Sequence, residues 1–365
     1  MNVDAEANMD MIHISQIETP ALILDMDALE GNIRVMGEFF KGKTSKLRPH
    51  FKTDKCPRIS HMQIEAGAKG ITCSKLGEAE VLAAAGIRDI LLANQIISPE
   101  KLLRVAGLVK SGVKITILAD NADNVADISR AAKAFGTEIH VLVEIDVGMG
   151  RCGVSTAEEA LALARVIRDT DGVVFDGIQA YEGHLGHNPV EAERRAGVCA
   201  MVKKVTGAVN LLNANGITVG EISGGGTGTY NITGDNTIWT EIQAGSYLFM
   251  DLEYNKLGLK FRQALTVLTT VIHKRDGFAV TDAGSKTCGT DQGLPALKGY
   301  PEIAVTLNEE HGLLKDVNDR LRPGQKVEYL PGHCCSTVNL NDAYHCVRDG
   351  YLEAVWPIPG RGKTK

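Results

Sequence analysis

Long apolar runs, an excess of positive charge and a dense cysteine framework are all missing from this 365-residue sequence. No segment approaches the roughly 20 apolar residues that a membrane-crossing helix needs, so no membrane partner is expected. Lys and Arg number 39 against 45 Asp and Glu, a net charge of −6 with the signs mixed along the chain. Without a basic stripe there is little to hold a phosphate backbone, so nucleic acid is not an expected partner and a small molecule is. The eight cysteines are thinly spread, which predicts reduced thiols rather than a disulfide scaffold. Cys56, Cys73, Cys199, Cys288 and Cys346 read as small buried apolar residues. The opening MNVDAEANMDMIHISQIE is acidic and has no positive region followed by an apolar run, so it is not read as a secretory signal and a cytoplasmic location is expected. A Pro/Ser-rich linker, a longer internal repeat, a Gly-Lys-Ser/Thr phosphate loop and zinc-finger spacing are absent as well.

What is present is alternation. Between about residues 27 and 250, short apolar runs alternate with amphipathic stretches such as LGEAEVLAAAG and TAEEALALARVIRDT, the pattern of repeated βα units. The strand candidates are Leu47–Phe51, Gly70–Cys73, Asp89–Ala93, Lys114–Ala119, Ile139–Ile145, Val173–Ala180, Thr218–Ser223 and Glu241–Gly245, enough for a (β/α)8 barrel over residues 20–255. After residue 256 the helical period fades into β-like runs punctuated by Arg275-Asp276-Gly277, Arg322-Pro323-Gly324 and Arg348-Asp349-Gly350. Residues 256–365 are therefore expected to form a smaller antiparallel β-domain, joined by the N-terminal segment 1–19.

Lys52, Ser74, Asn94, Asp120, Asp146, Tyr181, Gly224 and Ser246 all fall just beyond strand candidates, on the rim where such barrels build active sites. Ser74, Asn94 and Asp120 suit loop starts and caps equally well. Lys52 in RPHFKTDK suits a nucleophile toward an aldehyde or a surface ion pair. The glycine-rich SGGGTGTY, followed by QAGSY, lies between the seventh and eighth strands, where barrels bind phosphate; a turn that merely needs glycine is the alternative. Arg151 in VGMGRCGV suits a pyridine nitrogen, a carboxylate, or a structural pair with Glu144 or Asp146. In QAYEGHLGH, His184 and His187 each suit a general base or a metal. His333 and Cys335 in LPGHCCSTVNLND, if extended, point to one face and suit an open divalent-metal site.

Taken in order, HFKTDK, EIDVGMGRCGV, QAYEGHLGH, SGGGTGTY, QAGSYLFMD, TDAGSK, EEHG and PGHCCSTVNL closely resemble the D-threonine aldolase and D-serine dehydratase family, fold-type III pyridoxal-phosphate enzymes with an alanine-racemase-like barrel. The resemblance implies Lys52 as the Schiff-base lysine, Arg151 at the pyridine nitrogen and Tyr181 in the cofactor pocket. It implies a phosphate cradle of Gly225, Gly226, Thr227, Gly228, Thr229, Gly245, Ser246 and Tyr247, with His187 as the base and His333 and Cys335 as ligands of zinc, or of manganese or magnesium. His-x-Cys is the dehydratase form of the metal motif, where aldolases usually carry His-x-Asp, while GRCGV, GGGTG, QAGSY and VWPIPGRGK look like the aldolase branch. The expectation is cleavage of a β-hydroxy D-amino acid to glycine and an aldehyde by a homodimer, with dehydration to an oxo acid and ammonia as the alternative. A racemase, or a carrier of the cofactor without activity, would share the barrel and not need the metal.

Overall fold

The computed structural model describes residues 12–365, so the first part of segment 1–19 lies outside the described residues. The chain divides into two compact units: a sheet unit of the described residues to Asn32, Leu248–Asn255 and Lys260–Arg361, and a barrel unit of Ile33–Tyr247, Lys256–Leu259 and Gly362–Lys365. The N-terminal boundary falls beyond residue 20 because β1 (Ala21–Asp25) pairs antiparallel with β10 (Leu265–Arg275) and parallel with β16 (Ala343–Arg348). Its apolar run is spent in the second sheet rather than in the barrel.

The barrel strands are β2 (Lys46–Leu47), β3 (Ile71–Cys73), β4 (Asp89–Gln95), β5 (Lys114–Ala119), β6 (Ile139–Glu144), β7 (Val173–Ala180), β8 (Glu221–Gly224) and β9 (Glu241–Ile242). All are parallel, in the order β2-β9-β8-β7-β6-β5-β4-β3. A bridge between His50 and Thr72 closes the ring, with Phe51 N donating to Thr72 O and Thr72 N to Pro49 O, both at 2.8 Å. β2 is shorter than the expected Leu47–Phe51 because Pro49 brings no amide to the ladder, although Arg48 N and His50 N still donate to Ile242 O and Ala244 O.

The intervening helices start and stop where their caps direct. Thr156 and Glu159 form a capping box at Ala157–Arg168, and Asn121 accepts from Asn124 N ahead of Ala122–Phe135, which ends on left-handed Gly136. Helix Glu191–Ala214 turns Arg194, Val198, Met201, Val205, Ala208 and Leu212 inward at three- and four-residue steps. Cys199 lies off that stripe and is exposed, contrary to the buried role expected from its sequence; Cys56, Cys73, Cys288 and Cys346 are buried, and all eight cysteines are free thiols.

Inside the barrel, Leu91, Leu118 and Leu142 form an apolar layer. Above it Gln243 donates to Gln179 Oε1 at 2.8 Å and to Ser223 Oγ at 2.7 Å, while Glu144 accepts from Gln95 and Gln179, so a polar layer underlies the rim. At the opposite mouth Arg48 donates to Glu241 and to Asp89, both at 2.8 Å, and Lys69 pairs with Glu221 and Glu241.

In the sheet unit β10 pairs with β11 (Phe278–Thr281) and β16 with β17 (Tyr351–Pro357) through tight turns, the second with Asp349 and Gly350 both at positive φ as a type I′ hairpin requires. Arg322-Pro323-Gly324 turns the chain back into β15 (Lys326–Leu330), which pairs with β10. Among the described residues no helix is long and apolar enough to cross a membrane.

Arg48 and Glu241 are both nearly inaccessible, with side-chain exposures of 5% and 3%. Removing one member strands a buried charge, so Arg48→Met is expected to cost about 3–5 kcal/mol. Urea unfolding checks this, and Arg48→Met combined with Glu241→Leu should recover most of the loss.

Candidate active site

Parallel strands bring their carboxyl ends to one rim, and closure through Phe51 decides what stands there. Phe51 is buried, and Lys55 N and Thr53 N donate back to Phe51 O and His50 O, so the chain turns at once and Lys52 is exposed. Its Nζ lies 5.8 Å from the centroid of the Tyr181 ring, and Arg151 Cζ lies 5.8 Å from the same centroid. Side chains that follow β2 and β6 therefore meet around the aromatic ring that follows β7. Neither carboxylate considered for Arg151 pairs with it: Glu144 is held by two glutamines, and Asp146 accepts from the amides of Gly148 and Gly150.

Beneath this cluster sits His50. It accepts from Lys52 N, its Nε2 is 3.3 Å from Ser74 Oγ, and its pKa is held well below the usual histidine range by burial and then by the positive charges of Lys52, Lys55 and Arg151. Lys55 is neutralised by buried Glu78 at 2.6 Å.

The glycine-rich loop is built by a residue that sequence reasoning missed. Glu182, buried directly after Tyr181, accepts from Gly225 N at 3.0 Å, Thr229 Oγ1 at 2.8 Å and Thr233 Oγ1 at 2.5 Å. Thr227 Oγ1 accepts from Tyr247 N at 3.0 Å, which ties the loop to the segment Gly245, Ser246 and Tyr247, and the Tyr247 hydroxyl accepts from Gln63. Gly225 takes φ +72, and a Cβ at Gly228 would collide with Gly186 O, so glycine is required at both. Gly226 leaves the Tyr181 ring 3.5 Å from where its Cβ would be. The amides of Thr227 and Gly228 are buried and have no protein acceptor among the described residues. Two adjacent buried N–H groups without acceptors fit a phosphate.

His184 and His187 lie in the loop after Tyr181. His184 is exposed and covers Gly148, where a Cβ would come within 2.9 Å of its ring. His187 is half-buried in a stretch anchored by Arg194, whose Nη1 donates to Asn188 O at 2.6 Å. Arg194, buried on the inner stripe of its helix, is a second residue that motif reading passed over.

In the sheet unit the segment carrying His333 and Cys335 is not extended, which corrects the alternation argument for their shared face. His333 has extended dihedrals but only as the N-cap of helix Cys334–Leu340, begun by Cys334 N donating to buried Asp251 at 3.0 Å. The two side chains nevertheless meet. Burial opposes a charge on His333, but hydrogen bonds to Cys335 and Asp291 outweigh it and lift its pKa to about 9. Cys334 is buried with its Sγ 3.9 Å from that of Cys335. Imidazole and thiol are donor types that a zinc-like ion takes, although among the described residues no cluster of three or more His, Cys, Asp or Glu is arranged to hold a metal. Two donors of this kind suit an open site rather than a closed structural one.

His50 titrates below about 6.5 when folded, while an unfolded histidine titrates near that value. Its contribution to stability is therefore complete above about pH 6.5 and is lost as pH falls below it, with a slope of up to about 1.4 kcal/mol per pH unit. Melting curves across that range should show a smaller loss for His50→Asn than for the wild type.

The alanine racemase N-terminal domain model matches residues 24–253, and a serine dehydratase domain model matches residues 264–347. The 3-hydroxy-D-aspartate aldolase of Paracoccus denitrificans (strain Pd 1222) is 40% identical over 361 residues, 96% of this chain and 93% of the relative. The D-threo-3-hydroxyaspartate dehydratase of Delftia sp. (strain HT23) is 30% identical, with 92% and 96% covered. Among solved structures, D-threonine aldolase from Filomicrobium marinum matches with a TM-score of 0.94 at 34% identity, over 97% of this chain and 98% of its own. Similar along nearly its whole length to aldolases and to a dehydratase, and built on an alanine-racemase-type barrel, the chain belongs to the D-threonine aldolase and D-serine dehydratase family, lyases of the fold-type III pyridoxal-phosphate class.

Proposed function

We propose that the protein cleaves β-hydroxy D-amino acids of the D-threonine or 3-hydroxy-D-aspartate type to glycine and an aldehyde. The observation that carries this is the convergence of Lys52 and Arg151 on the Tyr181 ring in a chain whose relatives include aldolases. When bound, pyridoxal phosphate supplies a ring that accepts the electron pair of the broken Cα–Cβ bond, and a divalent metal supplies charge that acidifies the β-hydroxyl.

The chain's own groups do the rest. Lys52 is the covalent anchor and yields its place to the substrate amine. Arg151 donates to the pyridine nitrogen and keeps it unprotonated, since a guanidinium has no proton to give up near neutral pH. Tyr181 walls the pocket, and the loop Gly225 to Thr229 with Gly245, Ser246 and Tyr247 holds the phosphate through amides and hydroxyls. His187 takes the proton from the β-hydroxyl. His333 and Cys335 hold the metal, the thiolate favouring zinc over manganese or magnesium. The working unit is a homodimer, as the family resemblance implies.

Dehydration is the second reading, favoured by the thiolate in the metal pair and by the Delftia relative. Product analysis with D-threonine, D-serine and 3-hydroxy-D-aspartate separates the two. Glycine with an aldehyde is expected, and the same assay on His187→Asn should lose about two to four orders of magnitude in rate. Ammonia with an oxo acid as the main products would establish the dehydratase instead.

A further inference from the structure

The carboxylate of Asp291 has no part in the roles above, yet it is tied to the metal motif from two sides. Asp291 Oδ2 lies 2.7 Å from His333 Nδ1, and its Oδ1 accepts from Ser336 Oγ at 2.5 Å. Its loop is fixed to the same helix: Gly289 N donates to Thr337 Oγ1 at 3.0 Å, and Thr337 Oγ1 donates to His333 O at 2.8 Å. An ionised carboxylate accepts and cannot donate, so the proton between the two groups belongs to Nδ1. In a neutral imidazole the lone pair is then on Nε2, and with Nδ1 taken by Asp291 the hydrogen bond to Cys335 is left to that nitrogen. Had the tautomer been reversed, Nε2 would carry a proton and could not ligate.

We infer that Asp291 is a positioning residue for the metal pair, holding His333 as its Nδ1–H tautomer so that Nε2 presents a lone pair beside the Cys335 thiolate. The inference rests on the proposed metal role of His333 and Cys335. Asp291 is not a ligand; it acts on ring orientation and on the basicity of the ligating nitrogen. Loss of such a partner typically costs roughly 10- to 100-fold in metal affinity.

The test is titration of the metal-stripped full-length protein with Co(II), read by thiolate-to-cobalt absorption and by affinity rather than by turnover. Asp291→Asn, nearly isosteric, and Asp291→Ala should both bind Co(II) roughly 10- to 100-fold more weakly than the wild type. Ser336→Ala, which removes the other partner of the carboxylate, should change affinity far less. Unchanged circular dichroism and urea unfolding of the metal-stripped protein report that each variant is folded. Wild-type affinity in Asp291→Asn and Asp291→Ala, with binding lost in Cys335→Ser, would overturn the role of Asp291 alone. Unchanged Co(II) binding in Cys335→Ser, with no thiolate absorption in the wild type, would overturn the metal pair itself.

Discussion

Three backbone hydrogen bonds, Lys69 N to Leu47 O, Thr72 N to Pro49 O and Phe51 N to Thr72 O, close the barrel. Because they bury Phe51 and turn the chain immediately after it, the next residue projects from the rim as a lysine with its ammonium near the Tyr181 ring. Arg151 arrives at that ring from the end of β6. The positions two residues away on either side, His50 and Asp54, are buried, and Lys55, three residues on, is buried and spent on Glu78. Topology, rather than lysine chemistry, selects Lys52.

The charges around that point are arranged by subtraction. Carboxylates near Arg151 are occupied by amides and glutamines, and His50 beneath the cationic pair is held neutral by burial and by those same cations. Lys52 and Arg151 are the cations that bring charge to the Tyr181 ring. Glu182 spends its carboxylate on one amide and two hydroxyls of the glycine loop, which fixes the loop, while the amides of Thr227 and Gly228 have no protein acceptor among the described residues. A site short of anions and rich in directed donors is what an anionic cofactor and an amino-acid carboxylate need.

Much of this was legible in the sequence because it was written as periodicity and punctuation. Lys114–Ala119 and Val173–Ala180 have the predicted bounds, and the Asp349-Gly350 turn forms where two residues at positive φ are required. β1 was not legible as a strand of the second sheet, since an apolar pentapeptide beside an amphipathic helix reads equally well as the first strand of a barrel. Glu182, Arg194 and Asp291 were missed for a related reason. Each acts through a contact at long range or with backbone atoms, and such contacts leave no spacing to detect. The pairing of His333 with Cys335 was anticipated, but from an extended segment; a helix begins between them, and the hydrogen bond between their side chains does what alternation was expected to do.

Borohydride reduction of the holoenzyme followed by peptide mapping tests the account most directly, because the rim argument selects one lysine among the many in the chain. The cofactor mass should appear on the peptide carrying Lys52 and nowhere else, and Lys52→Ala should yield no modified peptide. Labelling of any other lysine in the wild type, or retention of a reducible cofactor in Lys52→Ala, would contradict it.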